Sequence, residues 1–161
     1  MSLIEQWKKG KANVRKKHKK FTQKLKREKG KKLNELGDEL HEQVFSEVDC
    51  LECANCCTSI PPIVNKTDAT RISKHLGMKL SEFQKEYLIQ DEDGDTVMNT
   101  SPCRFLLENN HCMIYEFRPK ACREYPHTDA FEFAKNLHLH AVNARYCPAV
   151  FHILERMAKV I

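Results

Sequence analysis

The sequence predicts a mostly α fold: a small metal-organised domain with irregular loops and short strands, preceded by a long basic N-terminal helix. Three observations predict it. Apolar residues recur at three- and four-residue spacing through residues 2–48, as on one face of a helix. Four cysteines then fall within eight residues, Cys50-Leu51-Glu52-Cys53-Ala54-Asn55-Cys56-Cys57, in a stretch without periodicity. A last amphipathic run closes the chain, with Pro148 at its start and Ala149, Val150, Ile153, Leu154, Met157, Val160 and Ile161 as its apolar set.

Taken in order, residues 2–48 carry a stripe of Trp7, Val14, Phe21 and Leu25, continued by Leu33, Leu36, Leu40 and Val44. Gly10, Gly30 and Gly37 weaken this helix and are points where it can divide. Thr67 reads as an N-cap, with a helix from Asp68 to Leu76 closed by Gly77. Ser81 with Gln84 reads as a capping box opening a helix to about Ile89. The acidic run from Asp91 to Asp95 reads as a turn. A calcium loop needs Glu six residues after the glycine, and Thr100 stands there. Short strands are expected at Thr96–Met98 and Cys103–Leu107, a tight turn at Asn109-Asn110, and a short helix with Pro119 at its first position. Residues 128–144 read as helix. These elements divide into a basic helical extension, 1–48, and a cysteine-cluster metal-binding domain, 49–161.

Charge divides in the same way. Residues 1–32 hold fourteen Lys and Arg against two acids, Glu5 and Glu28, while the remainder has thirteen bases and twenty acids. The net +5 thus combines an arm of +12 with a body of −7. So cationic an arm suits an anionic partner, RNA or an acidic protein, and its first half is of a kind that orders on contact. No secretory leader and no transmembrane segment is visible, which leads to the expectation of a cytoplasmic protein. In that reducing setting eight cysteines favour metal thiolates over disulfides.

Thiolate is the soft ligand that zinc and iron–sulfur clusters select. The spacing Cys50-x2-Cys53-x2-Cys56 lets one loop present several sulfurs to a small centre, as in ferredoxin-type sites. Cys56 and Cys57 are adjacent, so their side chains tend to diverge, one toward a centre and the other toward a second centre or the core. The candidate metal ligands are Cys50, Cys53, Cys56, Cys57, Cys103, Cys112, Cys122 and Cys147. They suffice for two zinc sites of four thiolates, or for one iron–sulfur cluster with spare thiols. Arg104, Arg118 and Arg123 flank candidate ligands and can offset their charge or pair with Glu116 and Glu124. His111, His127, His138 and His140 can ligate or support the ligands, but a lone His near a cysteine reads first as a surface or hydrogen-bonding residue. No serine triad, phosphate loop or dinucleotide fingerprint is present.

The motifs extend well beyond the cluster. Pro102-Cys103-Arg104-Phe105-Leu106, the run from Cys112-Met113-Ile114-Tyr115 through Pro119 to Cys122-Arg123-Glu124-Tyr125-Pro126, and Cys147-Pro148 follow in order. With them the chain resembles the CxxCxxCC family of cysteine-cluster proteins, from Cys50 to about Val150. That resemblance implies a zinc- or iron-chelating site at the eight cysteines and no particular reaction. Family members often carry glycine where this chain has Asn55 and Ala149, and the basic arm lies outside the family pattern. The function expected is a metal-binding protein whose iron–sulfur or zinc centre is structural or handles electrons or metal. The alternatives are a metal-stabilised interaction module using the arm, and an iron–sulfur enzyme related to protein lysine methylation.

Overall fold

The computed structural model describes residues 1–161, and 58% of them are helical, with a single two-stranded sheet. The chain forms two compact units, one from residues 1–50 and 126–161 and the other from residues 51–125.

In the first unit the basic N-terminal stretch is three helices rather than one: α1 (Leu3–Gly10), α2 (Arg15–Leu25) and α3 (Gly30–Phe45). Length explains the breaks. A straight helix from Leu3 to Val44 would run about 60 Å at 1.5 Å per residue. The C-terminal helix α10 (Pro148–Val160) has only 13 residues, yet both α1 and α3 pack against it. Breaking the chain after Gly10 and after Leu25 lets Trp7, Leu25, Leu33, Leu40 and Val44 enter one core with Val150, Ile153, Leu154 and Met157. The indole N–H of Trp7 donates to the Ala144 carbonyl at 2.9 Å, so burying the ring leaves no polar atom stranded. The segment read as a cationic arm that orders on contact is thus an ordered part of a core. The boundary drawn at residue 48 from composition differs from the division into compact units, because residues 1–50 share their core with 126–161.

Gly37, read as a weak point, is instead a contact. A Cβ there would lie 2.7 Å from Cβ of Phe133, so α3 needs a residue without a side chain to meet that ring. Residues 128–144 are helical only in part. His127, Ala130 and Phe131 have φ of 64°, 54° and 57°, and the helix reduces to a 3-10 turn at Ala134–Asn136 and α9 (Leu137–Asn143). The irregular backbone delivers Phe133, wholly buried, onto Gly37 and stacks it on His140 at 4.1 Å. Pro148 opens α10 as its spacing predicts.

In the second unit α4 (Cys50–Cys53, beginning on the last residue of the first unit) and α5 (Asn55–Ser59) carry the cysteine cluster. α6 (Lys66–His75) begins earlier than the sequence suggests. Asn65, not Thr67, is its cap, accepting the Asp68 N–H at 2.7 Å while Asp68 accepts that of Asn65 at 3.3 Å. It closes as expected at Gly77, with φ of 68° and the Met78 N–H reaching back to Ser73. α7 (Leu80–Tyr87) likewise starts before Ser81, with Glu82 accepting the Lys79 N–H at 3.4 Å. The chain then leaves helix for β1 (Leu88–Gln90), which pairs antiparallel with β2 (Thr96–Met98). The acidic run makes the hairpin turn, Asp91 accepting the N–H groups of Asp93 and Asp95. Residues 103–107 make only one bridge, Leu106 to Cys112, around the turn at Asn109-Asn110, so that segment is a tight loop rather than a strand. A 3-10 turn (Tyr115–Phe117) and α8 (Lys120–Glu124, Pro119 as cap) complete the unit. Its core is Val64, Ala69, Ile72, Phe83, Met98, Phe105 and Ile114. No helix of the protein is long and apolar enough to cross a membrane.

Candidate metal centre

All eight cysteines are thiols. In the second unit four of them, from three separate segments, lie within range of one another's charge: Cys57 from α5, Cys103 and Cys112 from the two sides of the tight loop, and Cys122 from α8. Local structure explains each placement. Between α4 and α5 the buried Ala54 takes the left-handed conformation, φ 45° and ψ 17°, which turns the chain sharply between Cys53 and Cys56. An L-residue pays roughly 1–2 kcal/mol for that conformation. The turn therefore sits at Ala54, while Asn55 and the wholly buried Ala149 are helical. The Cys103 N–H donates to the Cys57 carbonyl at 2.9 Å, and Ser101 Oγ donates to the Thr58 carbonyl at 2.9 Å, fixing the loop to α5. The Met113 N–H donates to Phe105 at 2.7 Å and holds Cys112 beside Cys103.

Cys122 depends on a residue that the sequence reading passed over. Asp68, nearly fully buried, accepts from Arg71 at 2.9 Å and from the Lys120 N–H at 3.2 Å, while Arg71 also donates to the carbonyls of Phe117 and Arg118. This buried carboxylate and its partner clamp the segment that leads into α8. The signal available beforehand was Asp68 as the third helical residue after Asn65, a capping-box position.

The four sulfurs act on one another electrostatically. Hydrogen bonding from Cys56, opposed by burial and aided by its own backbone N–H, brings the Cys57 thiol down to about 7. Burial pushes Cys103 up, the backbone N–H groups of Phe105 and Leu106 hold it partly down, and repulsion from Cys112 and Cys57 adds to the rise. At Cys112 burial again raises, the Ile114 N–H lowers, Cys57 raises and Arg118 lowers. Cys122 is pushed up by the protein atoms packed around it and then by charge on Cys103, Cys57 and Cys112, with Arg118 opposing. Its residue surface is solvent-exposed, so water offsets part of that rise and leaves its direction upward. As placed, the thiols stand within range of each other's charge, and no three His, Cys, Asp or Glu side chains are drawn together closely enough to hold an ion.

The donor set nonetheless has the chemistry of a thiolate centre. The sulfurs are soft donors, and at Cys103 and Cys112 backbone N–H groups two or three residues on point at sulfur, the support that metal-bound thiolates receive. The three candidate arginines separate by role. Arg118 stacks on Tyr115 at 4.0 Å and is the cation whose field reaches Cys112 and Cys122. Arg104 stacks on Tyr87 and pairs with Glu86 at 3.3 Å, and Arg123 donates to the Arg118 carbonyl. Cys53 is half-buried on α4 and Cys56 lies against Cys57. Cys50 and Cys147 belong to the first unit, Cys147 half-buried against its apolar core as the residue before α10. Of the histidines, His140 is wholly buried and bonds the Phe133 carbonyl at 2.9 Å, a structural role.

No curated protein and no solved structure matches the chain. A family model does, over residues 49–148, the span that holds all eight cysteines. That match covers most of the chain and every motif quoted above, and with it the chain belongs to the CxxCxxCC family, described as a "Putative zinc- or iron-chelating domain".

Proposed function

We propose that this cysteine-cluster protein binds zinc or an iron–sulfur cluster through a principal centre of Cys57, Cys103, Cys112 and Cys122, and that the centre organises residues 51–125. The observation that carries this reading is that four thiols from three chain segments lie within range of one another's charge, three of them beside backbone N–H groups. When bound, the metal supplies the positive charge that relieves repulsion among the sulfurs. The chain supplies N–H support at Cys103 and Cys112 and the charge of Arg118 beside Cys112 and Cys122. The Cys103-to-Cys57 hydrogen bond and the Asp68 clamp fix the backbone that carries these thiols. Cys50, Cys53, Cys56 and Cys147 are the remaining candidate ligands or spare thiols. Metal thiolates of this kind suit a reducing compartment, and the cytoplasm is the proposed location.

Anaerobic purification with metal analysis and a visible spectrum tests the reading. We expect zinc or iron to co-purify, brown colour marking iron–sulfur, and Cys103→Ser or Cys112→Ser to lose the metal. A folded wild-type chain whose thiols all react with a thiol reagent, and which takes up neither zinc nor iron, would refute the assignment.

A further inference from the structure

The exposed side of α2 carries a density of positive charge that the metal centre does not use. Residues 15–32 hold eleven Lys and Arg and one acid, Glu28. The side of α2 facing the core is His18, Thr22 and Leu25, all buried, with Phe21 packed beside them. The opposite side is Lys16, Lys20 and Lys24, one helical turn apart at about 6 Å of rise per step. Lys19 and Lys26 flank that row and Arg27 extends it. Some nearby cations are engaged within the protein. Lys17 pairs with Glu155 at 2.7 Å, Lys32 with Glu28 at 3.1 Å, and Lys11 lies over the Trp7 ring. Lys16, Lys19, Lys20, Lys24, Lys26 and Arg27 enter none of the structure's ion pairs and are exposed.

Fixing like charges side by side is unfavourable unless an anion shares them. We infer that this face binds the phosphate backbone of a nucleic-acid duplex, without reading its sequence. The row is rigid, since α2 is anchored in the core, and cations one turn apart match the scale on which successive phosphates follow along a strand. The face presents no exposed apolar residue, whereas a protein interface has an apolar centre and a membrane-surface helix needs aromatic or aliphatic groups free to insert. Trp7, Phe21 and Leu25, the candidates for insertion, are buried or packed into the core. This inference does not depend on the metal reading.

The test uses the full-length protein with fluorescent duplexes of about 20 base pairs, one RNA and one DNA, in a salt titration. Engagement of about five phosphates gives a slope of log affinity on log salt near −4.5, since each contact contributes about −0.9. The variant with Lys16→Gln, Lys20→Gln and Lys24→Gln should lose roughly three units of slope and bind at least 10-fold more weakly at low salt. Being surface changes, these should leave the circular dichroism melt unchanged. A control with Lys66→Gln, Lys74→Gln and Lys85→Gln, also surface cations, should bind as wild type. Preference between the two duplexes then assigns the natural form. Failure of both duplexes to bind at low salt overturns the inference. So does unchanged slope in the α2 variant, equal loss in the control, or tighter binding to phosphatidylserine vesicles than to either duplex.

Discussion

His140 shows how one residue ties acid sensitivity to packing. Its ring is wholly buried and stacked on Phe133, and burial is the main force that drives it down to about 4, against the hydrogen bond to the Phe133 carbonyl. Protonation is therefore easier in the unfolded chain, where the ordinary value is about 6.5. The neutral ring contributes stability that is fully present above that value and is lost as pH falls from about 6.5 to about 4. His18 and His152, both lowered by burial, act in the same direction. We expect equilibrium unfolding followed by circular dichroism to show stability falling across this window by about 3 kcal/mol from His140. The slope should flatten in His140→Gln, even if that variant is less stable overall. Ala54 belongs to the same scale. A residue that looks like an ordinary spacer between cysteines is the one that turns left-handed.

Among the elements, α3 depends on what it lacks. Gly37 lies mid-helix, where propensity alone would favour alanine by nearly 1 kcal/mol. Packing outweighs that preference, because an added methyl would overlap the Phe133 ring stem, which has no room to swing away. Gly37→Ala is expected to cost about 1–3 kcal/mol, while Gly30→Ala, whose Cβ would rest 3.7 Å from Ala134, should be neutral or slightly stabilising. Paired denaturant melts decide between the two effects, since a propensity-dominated helix would gain from both changes. The start of α6 was legible to within two residues, but the polar pattern was read with Thr67 rather than Asn65 as its cap. What the pattern could not show is that Asp68 would also be buried and accept from Lys120, more than fifty residues away.

At the scale of the whole molecule, the small apolar cluster of residues 51–125 is expected to lean on metal for its order. Ligand in 1,000-fold excess over its dissociation constant stabilises by about 4 kcal/mol. Stripping the metal with a chelator should therefore lower the melting temperature, and hydrogen exchange should locate the lost protection in residues 51–125. Equal loss across α1, α3 and α10 would show instead that the metal supports both cores alike.

Local spacing and turn chemistry, written in neighbouring residues, sufficed for the mostly α class, the C-terminal helix, the acidic turn, the closure at Gly77 and the family. Tertiary packing was needed to show that the basic stretch is three helices, that 128–133 is irregular, and which thiols lie within range of each other's charge. Those outcomes turn on contacts between residues far apart in the chain: Trp7 with Ala144, Gly37 with Phe133, Asp68 with Lys120, Cys57 with Cys103. Local preference of a kilocalorie or less yields to burial of a whole side chain, and no reading of adjacent residues reveals which distant partner will claim it.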